Sequence, residues 1–290
     1  MRHWTLRIFG GLLLVFVTAV GSIYALSSRI ISARHPFREH PVVVTADSAS
    51  VARGERLARI RCFGCHGDSL KGKIFFDEPR IVRLVAPNVP AKLATLSDAE
   101  FAGFLRSGVR KDGTSPFVMP PPGFYHISDF DLAALIAYIR SLPVVNDTLP
   151  TNTYRLMGRL GVALGQFKTA VAEYDTTMER VGDDPFWATT RQGEYLARMI
   201  CTECHGLRLT GDSAAADGST RTPSLAGAAG YSPEEFVTLL RTGTPREATT
   251  RLGLMAETAR SSLSHFTDDE ISAIYWYIQA LPPTGVQVTR

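Results

Sequence analysis

All four cysteines of this 290-residue chain lie in two copies of one short pattern. The copies are Cys62–His66 (CFGCH) and Cys201–His205 (CTECH), and they start 139 residues apart. No cysteine remains outside them for a disulfide elsewhere. Residues three apart share one face of a helical turn, so each copy presents two thiols side by side with an adjacent imidazole. The chain must therefore fold around two such sites.

This pattern is typical of the covalent attachment site of a c-type haem. A redox dithiol, a structural zinc site and a chance occurrence compete with that interpretation. A redox dithiol requires neither a following histidine nor a second copy, and four cysteines with two histidines exceed the ligands of a structural zinc site. The sequence therefore predicts two covalently bound haem c groups. The predicted attachment residues are Cys62, Cys65, Cys201 and Cys204, and the predicted iron-ligating histidines are His66 and His205.

The two motifs belong to an internal repeat. The segment Arg53–Ile60 before the first motif resembles Gln192–Met199 before the second, at the same offset of 139 residues. Such self-similarity marks a duplicated structural unit. The predicted organisation is an N-terminal segment with linker (1–46), a first domain (47–143), an interdomain linker (144–186) and a second domain (187–290).

Each repeat contains three predicted helices, with loops between them. Capped helix starts are indicated by Ser97 with Glu100, Ser232 with Glu235 and Thr267 with Glu270, and more weakly by Ser128 with Asp131. The last helices are predicted to end at Leu142 and Leu281, each of which is followed by proline.

These motifs and helices resemble the class I cytochrome c fold, over roughly residues 47–143 and 187–283. The resemblance implies an all-α chain with two tandem domains. In that family a glycine of the first helix lets an aromatic residue of the last helix pack closely against it. The matching pairs are Gly54 with Tyr138 and Gly193 with Tyr277.

The sixth ligand of each iron decides between classes of function. A haem held by histidine alone can bind oxygen or peroxide, whereas a second strong ligand leaves electron transfer as its task. Met119 follows His66 by 53 residues, and Met255 follows His205 by 50. Met119 is followed by proline, as in the family's ligand motif, whereas Met255 is followed by Ala256 and departs from it.

Two alternatives to methionine ligation remain. The methionines can fill gaps in the core, as methionine usually does. His126 and His265, which precede the last helices, can ligate instead, although we expect them to have a surface or capping role. The resemblance further implies that a proline-segment carbonyl accepts a hydrogen bond from the second ring nitrogen of each ligand histidine, and Pro87 and Pro223 match that position.

The N-terminus carries the uncharged, mostly apolar stretch Ile8–Leu26. At about 1.5 Å per residue it reaches roughly 28 Å, enough to cross a bilayer core. The alternative is a cleaved signal peptide, because Ala19 and Gly21 match a small-residue cleavage site. Members of the family receive their haem on the outer side of the membrane. We therefore expect a single-pass inner-membrane protein with its haem domains in the periplasm.

The interdomain linker is too long for an ordinary connection within one domain. Leu156, Leu160, Leu164, Phe167 and Val171 recur at helical spacing. They predict an amphipathic helix that packs on a haem domain, with contact to the membrane surface or to a partner as the alternative.

A net charge of +3 without a basic run gives no support to nucleic-acid binding. The predicted function is electron transfer between redox protein partners, either free-standing or as the cytochrome subunit of a dehydrogenase or oxidase, and not catalysis. The alternative is a dihaem enzyme, such as a cytochrome c peroxidase or a thiosulfate-oxidising cytochrome, which requires one open or weakly held iron.

Overall fold

Helices form most of the regular structure in the computed structural model, which describes residues 2–145, 149–183, 189–211, 222–250 and 252–282. The first helices along the chain are α1 (Arg2–Ile31), α2 (Ser48–Arg61), α3 (Phe63–His66), α4 (Val89–Leu93), α5 (Asp98–Ser107) and α6 (Asp129–Ser141). After them come α7 (Leu156–Ala163), α8 (Ala170–Glu173), α9 (Thr189–Ile200), α10 (Thr202–His205), α11 (Pro233–Thr242), α12 (Leu254–Ser261) and α13 (Asp268–Gln279). Short 3-10 turns lie at Pro122–His126, Val181–Asp183, Leu225–Gly230 and Leu263–His265. The predicted mostly helical architecture is confirmed.

The predicted helix starts are present. Ser97, Ser232 and Thr267 begin α5, α11 and α13 with complete capping boxes, in which the cap and the acid three residues later each bond the other's backbone N–H. Ser128 caps α6 by accepting a bond from the Asp131 backbone N–H, without the reciprocal bond. The Asp131 carboxylate instead binds Arg53 and Tyr195. The cap of α6 is therefore weaker than the caps of α5, α11 and α13.

The first and last helices of each repeat cross at a glycine, as predicted. A Cβ atom on Gly54 would lie 1.9 Å from the carbonyl oxygen of Ala134 and 2.8 Å from Cβ of Tyr138. At Gly193 the corresponding distances are 2.0 Å to the oxygen of Ala273 and 2.7 Å to Cβ of Tyr277. The backbone atoms of Ala134 and Ala273 cannot move aside as the end of a flexible side chain can. Both helix crossings therefore require glycine.

We expect Gly54→Ala and Gly193→Ala each to lower the free energy of unfolding by about 1–3 kcal/mol, because the added methyl overpacks the helix crossing. The higher helix propensity of alanine offsets only about 1 kcal/mol of that strain. Denaturant unfolding of the full chain measures the change. Gly227→Ala is the matched control, since a Cβ there meets nothing within 4 Å. Equal stability of the Gly54 and Gly227 variants would contradict the close crossing.

A small antiparallel sheet occupies a region that the sequence analysis assigned to loops. It has the order β1 (Lys73–Glu78), β2 (Val82–Ala86), β3 (Thr153–Tyr154). The first strand carries no clear alternation, and the third strand comes from the linker, so no local pattern signals the sheet. The backbone N–H of Val85 also donates to Oδ1 of Asn152, at 2.7 Å. The linker is therefore tied to the first repeat.

The linker helix α7 ends at Ala163, earlier than its apolar spacing predicts, because Gly165 adopts a left-handed conformation (φ +70°). It packs on the first repeat where Gly158 meets the backbone of Ile81. It also contacts the C-terminal end of α1. The linker helix thus packs on one of the two repeats, as predicted, whereas the contact with α1 was not predicted.

Arg159 of α7 makes the contact with α1. Its guanidinium donates to the hydroxyls of Ser27 and Ser28, both at 3.0 Å, and lies 4.6 Å from the centroid of the Tyr24 ring. The last turns of α1 and the linker helix are thereby joined.

The extended segment 32–47 between α1 and α2 lies along the first repeat. The backbone N–H of His35 donates to the carbonyl of Gly113 at 2.8 Å, and that of His40 donates to the carbonyl of Ala99 at 3.0 Å. This connection is therefore held against the domain at two separate points.

The two repeats meet in a reciprocal interface. The Tyr195 hydroxyl of the second repeat donates to the fully buried Asp131 of the first, at 2.6 Å. Arg56 of the first repeat pairs with the buried Glu270 of the second, at 2.5 Å. Arg56 and Tyr195 occupy equivalent positions of the repeat, as do Asp131 and Glu270. Equivalent residues thus exchange contacts, which is the signature of a two-fold interface.

Candidate haem-binding sites

The first motif lies where α2 gives way to the short helix α3. His66 is buried, and its Nδ1 donates to the carbonyl of Pro87 at 2.8 Å. A carbonyl can only accept, so the proton sits on Nδ1 and Nε2 keeps its lone pair. Burial lowers the pKa of His66, and the bond to Pro87 opposes this only in part. The imidazole is therefore neutral and oriented, as an iron ligand must be.

A single cavity brings together three of the predicted site residues of the first repeat. Cys62, His66 and Met119 all line it. Its other walls are apolar side chains contributed by helices and loops of the same repeat: Leu70, Val89, Phe101, Leu105, Phe124, Leu135 and Ile139. Cys65 is half-buried and is not among the lining residues. A thiol, a neutral imidazole and a thioether in an apolar cavity fit a flat apolar macrocycle with an iron centre.

The second motif repeats the local geometry of the first. Nδ1 of His205 donates to the carbonyl of Pro223 at 2.8 Å, and burial lowers the pKa of this histidine too. The following loop matches as well, because Leu70 and Leu209 share a left-handed conformation, with φ of 54° and 60°. Cys201 is half-buried and Cys204 exposed. Residues 212–221, which follow this loop, lie outside the described part of the chain.

The two predicted methionine ligands lie in different settings. Met119 is in the loop before α6 and contacts the core as well as the cavity. Met255 is the second residue of α12, half-buried against the core of the second repeat. Their roles as iron ligands stay predictions.

The expectation of a surface or capping role is wrong for His126. This histidine is 3% exposed and lies in the turn that contacts α9 of the second repeat. Burial lowers its pKa to about 4, and the positive charge of Arg198 adds to the effect. The interface between the repeats, which no local pattern reveals, accounts for this burial. His265 at the equivalent position is half-buried.

The thiols do not have the properties of a redox dithiol. Burial raises the pKa of Cys62 and of Cys201, each to about 12. Reactive cysteines have lowered pKa values, because the thiolate is the nucleophile. Across the described residues, no three His, Cys, Asp or Glu side chains cluster as a structural zinc site would require. The redox-dithiol and zinc interpretations of the motifs thus both lose support.

Two charged residues at the motifs were missed by the sequence analysis. Arg61, with its side chain 6% exposed, pairs with Glu203 of the other repeat. Comparing the repeats position by position reveals them, since Arg61 is equivalent to Ile200, and Glu203 to Gly64. A search for motifs finds what the two copies share, so it misses a charged residue that only one copy carries.

Comparison with known families matches both repeats to cytochromes. Residues 51–143 match the family described as Cytochrome c, and residues 188–278 match Cytochrome C oxidase, cbb3-type, subunit III.

Similar curated proteins are cytochrome subunits of dehydrogenases. The chain is 28% identical to the alcohol dehydrogenase (quinone) cytochrome c subunit of Gluconacetobacter polyoxogenes, over 82% of this chain and 57% of the relative. It is 29% identical to the gluconate 2-dehydrogenase cytochrome c subunit of Pantoea cypripedii, over 81% and 60%. The fructose dehydrogenase cytochrome subunit of Gluconobacter japonicus is 27% identical, over 83% and 54%. The chain thus spans little more than half the length of these relatives.

Proposed function

Because this chain carries two tandem cytochrome c domains, we propose that it is the electron-carrying, non-catalytic cytochrome subunit of a membrane-bound dehydrogenase. Each domain holds one covalent haem c in this proposal. The observation that carries it is the cavity in which the motif residues Cys62 and His66 meet Met119 between apolar walls. The similarity to three dehydrogenase cytochrome subunits supports the choice of partner.

In the first domain, Cys62 and Cys65 would hold the haem through thioether bonds, and His66 and Met119 would ligate its iron. The haem supplies one-electron exchange between ferric and ferrous iron. The Pro87 carbonyl holds the ring of His66 in one orientation and in the neutral tautomer that can ligate. The thioether of Met119 is a soft ligand that favours the ferrous state. With His66 and Met119 both serving as ligands, the iron would be closed to added ligands, and these side chains would need to move little between its two oxidation states.

In the second domain the same roles fall to Cys201 and Cys204 as attachment residues, to His205 and Met255 as ligands, and to Pro223 as the carbonyl that orients the histidine. The hydrogen bond between His205 and Pro223 supports this assignment, because it has the same length as its counterpart in the first domain. The enzyme alternative is tested first at this haem, because Met255 lacks the proline that follows the ligand methionine in the family's motif, and an open iron would react with peroxide.

We propose that α1 anchors the chain in the inner membrane. The segment His3–Ile31 is long and apolar enough to cross a bilayer, and none of its most apolar window is buried against the rest of the protein. In this proposal the two haem domains lie in the periplasm and the N-terminus lies in the cytoplasm, because members of the cytochrome c family receive their haem on the outer side of the membrane. The donor is then the catalytic subunit of an alcohol or sugar dehydrogenase, and the acceptor is a quinone.

We expect this chain to stay with salt-washed membranes, with its N-terminus intact, and its haems to be reduced there by one of three substrates: ethanol, gluconate or fructose. The reason is that a catalytic subunit bound to the chain passes it electrons from substrate. Haem absorbance in the membranes measures the reduction, and mass spectrometry of the extracted chain measures the N-terminus.

Membranes from cells lacking the chain are the control, and they should lose substrate-dependent quinone reduction. The purified chain alone should oxidise none of the three substrates. Haems that stay oxidised with all three substrates would contradict the proposed partner. A mature chain that begins at Ser22 would contradict the anchor and support a cleaved signal peptide.

A further inference from the structure

One ion pair joins the two attachment motifs across the domain interface. Arg61 directly precedes Cys62, and Glu203 lies between Cys201 and Cys204. Nη1 of Arg61 is paired with Oε1 of Glu203. The reciprocal contacts of Arg56 with Glu270 and of Tyr195 with Asp131 surround a pseudo-two-fold axis, and this pair breaks that symmetry, since neither residue has a charged counterpart in the other repeat.

Burial of its arginine makes this ion pair unusual, although Glu203 is 38% exposed. The Arg61 side chain is 6% exposed, and its guanidinium carbon lies 5.0 Å from the centroid of the Phe124 ring. Within the described residues, Nε and Nη2 of Arg61 have no hydrogen-bond acceptor. A buried charge with incomplete partners costs stability, and buried donors without a partner are rare in folded proteins. Packing alone does not account for the charge, because the equivalent Ile200 fills its position without one.

Both charges act on both motifs. Burial is the main cause of the raised pKa of Cys62 and of Cys201. At each of these thiols Arg61 opposes the effect of burial, and Glu203 adds to it. Each side chain is therefore close enough to influence the attachment site of the other domain as well as its own. Arg61, with its side chain 6% exposed, is the less screened of the two charges, because the Glu203 side chain is 38% exposed.

We infer that Arg61 and Glu203 are positioning residues that couple the two haems, so that the pair sets both reduction potentials together and holds the two centres at one junction. This inference rests on the proposed function, because it requires a haem in each domain. The buried positive charge of Arg61 would destabilise ferric iron relative to ferrous iron and raise the potential, and the negative charge of Glu203, which is 38% exposed, would lower it less strongly. In this inference the two domains act as one coupled pair and not as separate carriers.

The test is a spectroelectrochemical titration of the full chain carrying Arg61→Met or Glu203→Gln. Arg61→Met should lower the midpoints of both haems, and Glu203→Gln should raise both. The expected shift at each haem for Arg61→Met is about tenfold in the one-electron equilibrium constant, or about 59 mV, and the shift for Glu203→Gln is smaller because that side chain is 38% exposed. Arg61→Lys, which keeps the charge, should restore potentials close to those of the wild type.

Arg59→Met is the matched control. Arg59 is on the same helix, two residues from Arg61, but its side chain is 43% exposed and pairs with Glu55 of its own helix. Removing such a solvated charge should move both potentials by much less than Arg61→Met does. Should Arg61→Met fail to fold, Glu203→Gln alone decides the sign, because glutamine preserves the size and shape of the side chain.

The outcomes separate this inference from the proposed function. A single haem per wild-type chain would overturn the proposed function itself. If the chain binds two haems, two results would overturn only the coupling. One is an Arg61→Met shift in the potential of a single haem, and the other is an equally large shift with Arg59→Met. Opposite shifts from the two substitutions, each felt at both haems, support it.

Discussion

A chain carrying Cys62→Ala and Cys65→Ala is expected to bind half the covalent haem of the wild type, one group in place of two. Without both thiols no thioether can form in the first domain, whereas Cys201 and Cys204 remain intact in the second. Haem staining of the denatured chain, and absorbance after acid-acetone extraction, measure the covalent content. The retained haem should respond to His205 substitution and no longer to His66 substitution.

The mirror-image variant, Cys201→Ala with Cys204→Ala, is the control. It should also carry one haem, this time in the first domain, whose cavity is closed by side chains of that domain alone. A wild-type chain with one haem, or with haem that acid-acetone removes, would contradict covalent attachment at both motifs.

The second large effect concerns Met119. We expect Met119→Ala to open the first iron to added ligands, to lower the potential of that haem and to remove half of the weak red-edge charge-transfer band between sulfur and ferric iron. A thioether stabilises ferrous iron and fills the sixth position, and alanine does neither. Absorbance spectra with and without added ligand, together with a redox titration, provide the measurement.

Two further substitutions complete this experiment. Met255→Ala should have the same effect at the second haem, while Met157→Ala should change neither, because Met157 is exposed on the linker helix. In the wild type, peroxide should find no vacant iron. A high-spin haem, or useful peroxide turnover by the untreated chain, would contradict the electron carrier and favour the dihaem enzyme, with the helix-bound Met255 the first residue to investigate.

Local signals predicted the features of this protein that depend on nearby residues. The attachment motifs each occupy five consecutive residues, and the capping boxes at Ser97, Ser232 and Thr267 span four. The helix crossings at Gly54 and Gly193 followed from a family resemblance, because their partners lie far along the chain. In each of these cases the residue type itself carries the structural requirement.

Features that depend on distant segments could not be predicted in this way. The strand β3 completes its sheet only because the linker returns to the first repeat. His126 is buried because the second repeat covers it, and Arg61 finds Glu203 only once the repeats are docked. Interactions between repeats leave little trace in either repeat alone. Comparing the copies position by position is the procedure that detects them.

The contacts of Arg159 with Ser27 and Ser28 join the proposed membrane anchor to the linker helix, and this affects how the domains would meet a partner. A domain on a flexible linker samples many positions and orientations above the membrane, so only a fraction of its collisions with a partner are productive. In this chain, α7 is hydrogen-bonded to the C-terminal end of α1. The segment 32–47 is hydrogen-bonded to the first domain through the backbone of His35 and His40. With α1 in the bilayer as proposed, these contacts would restrict the height and tilt of the domains above the membrane. Lateral diffusion and rotation about the bilayer normal would then be the main remaining motions, so the chain would meet its partners by a two-dimensional search with one face presented.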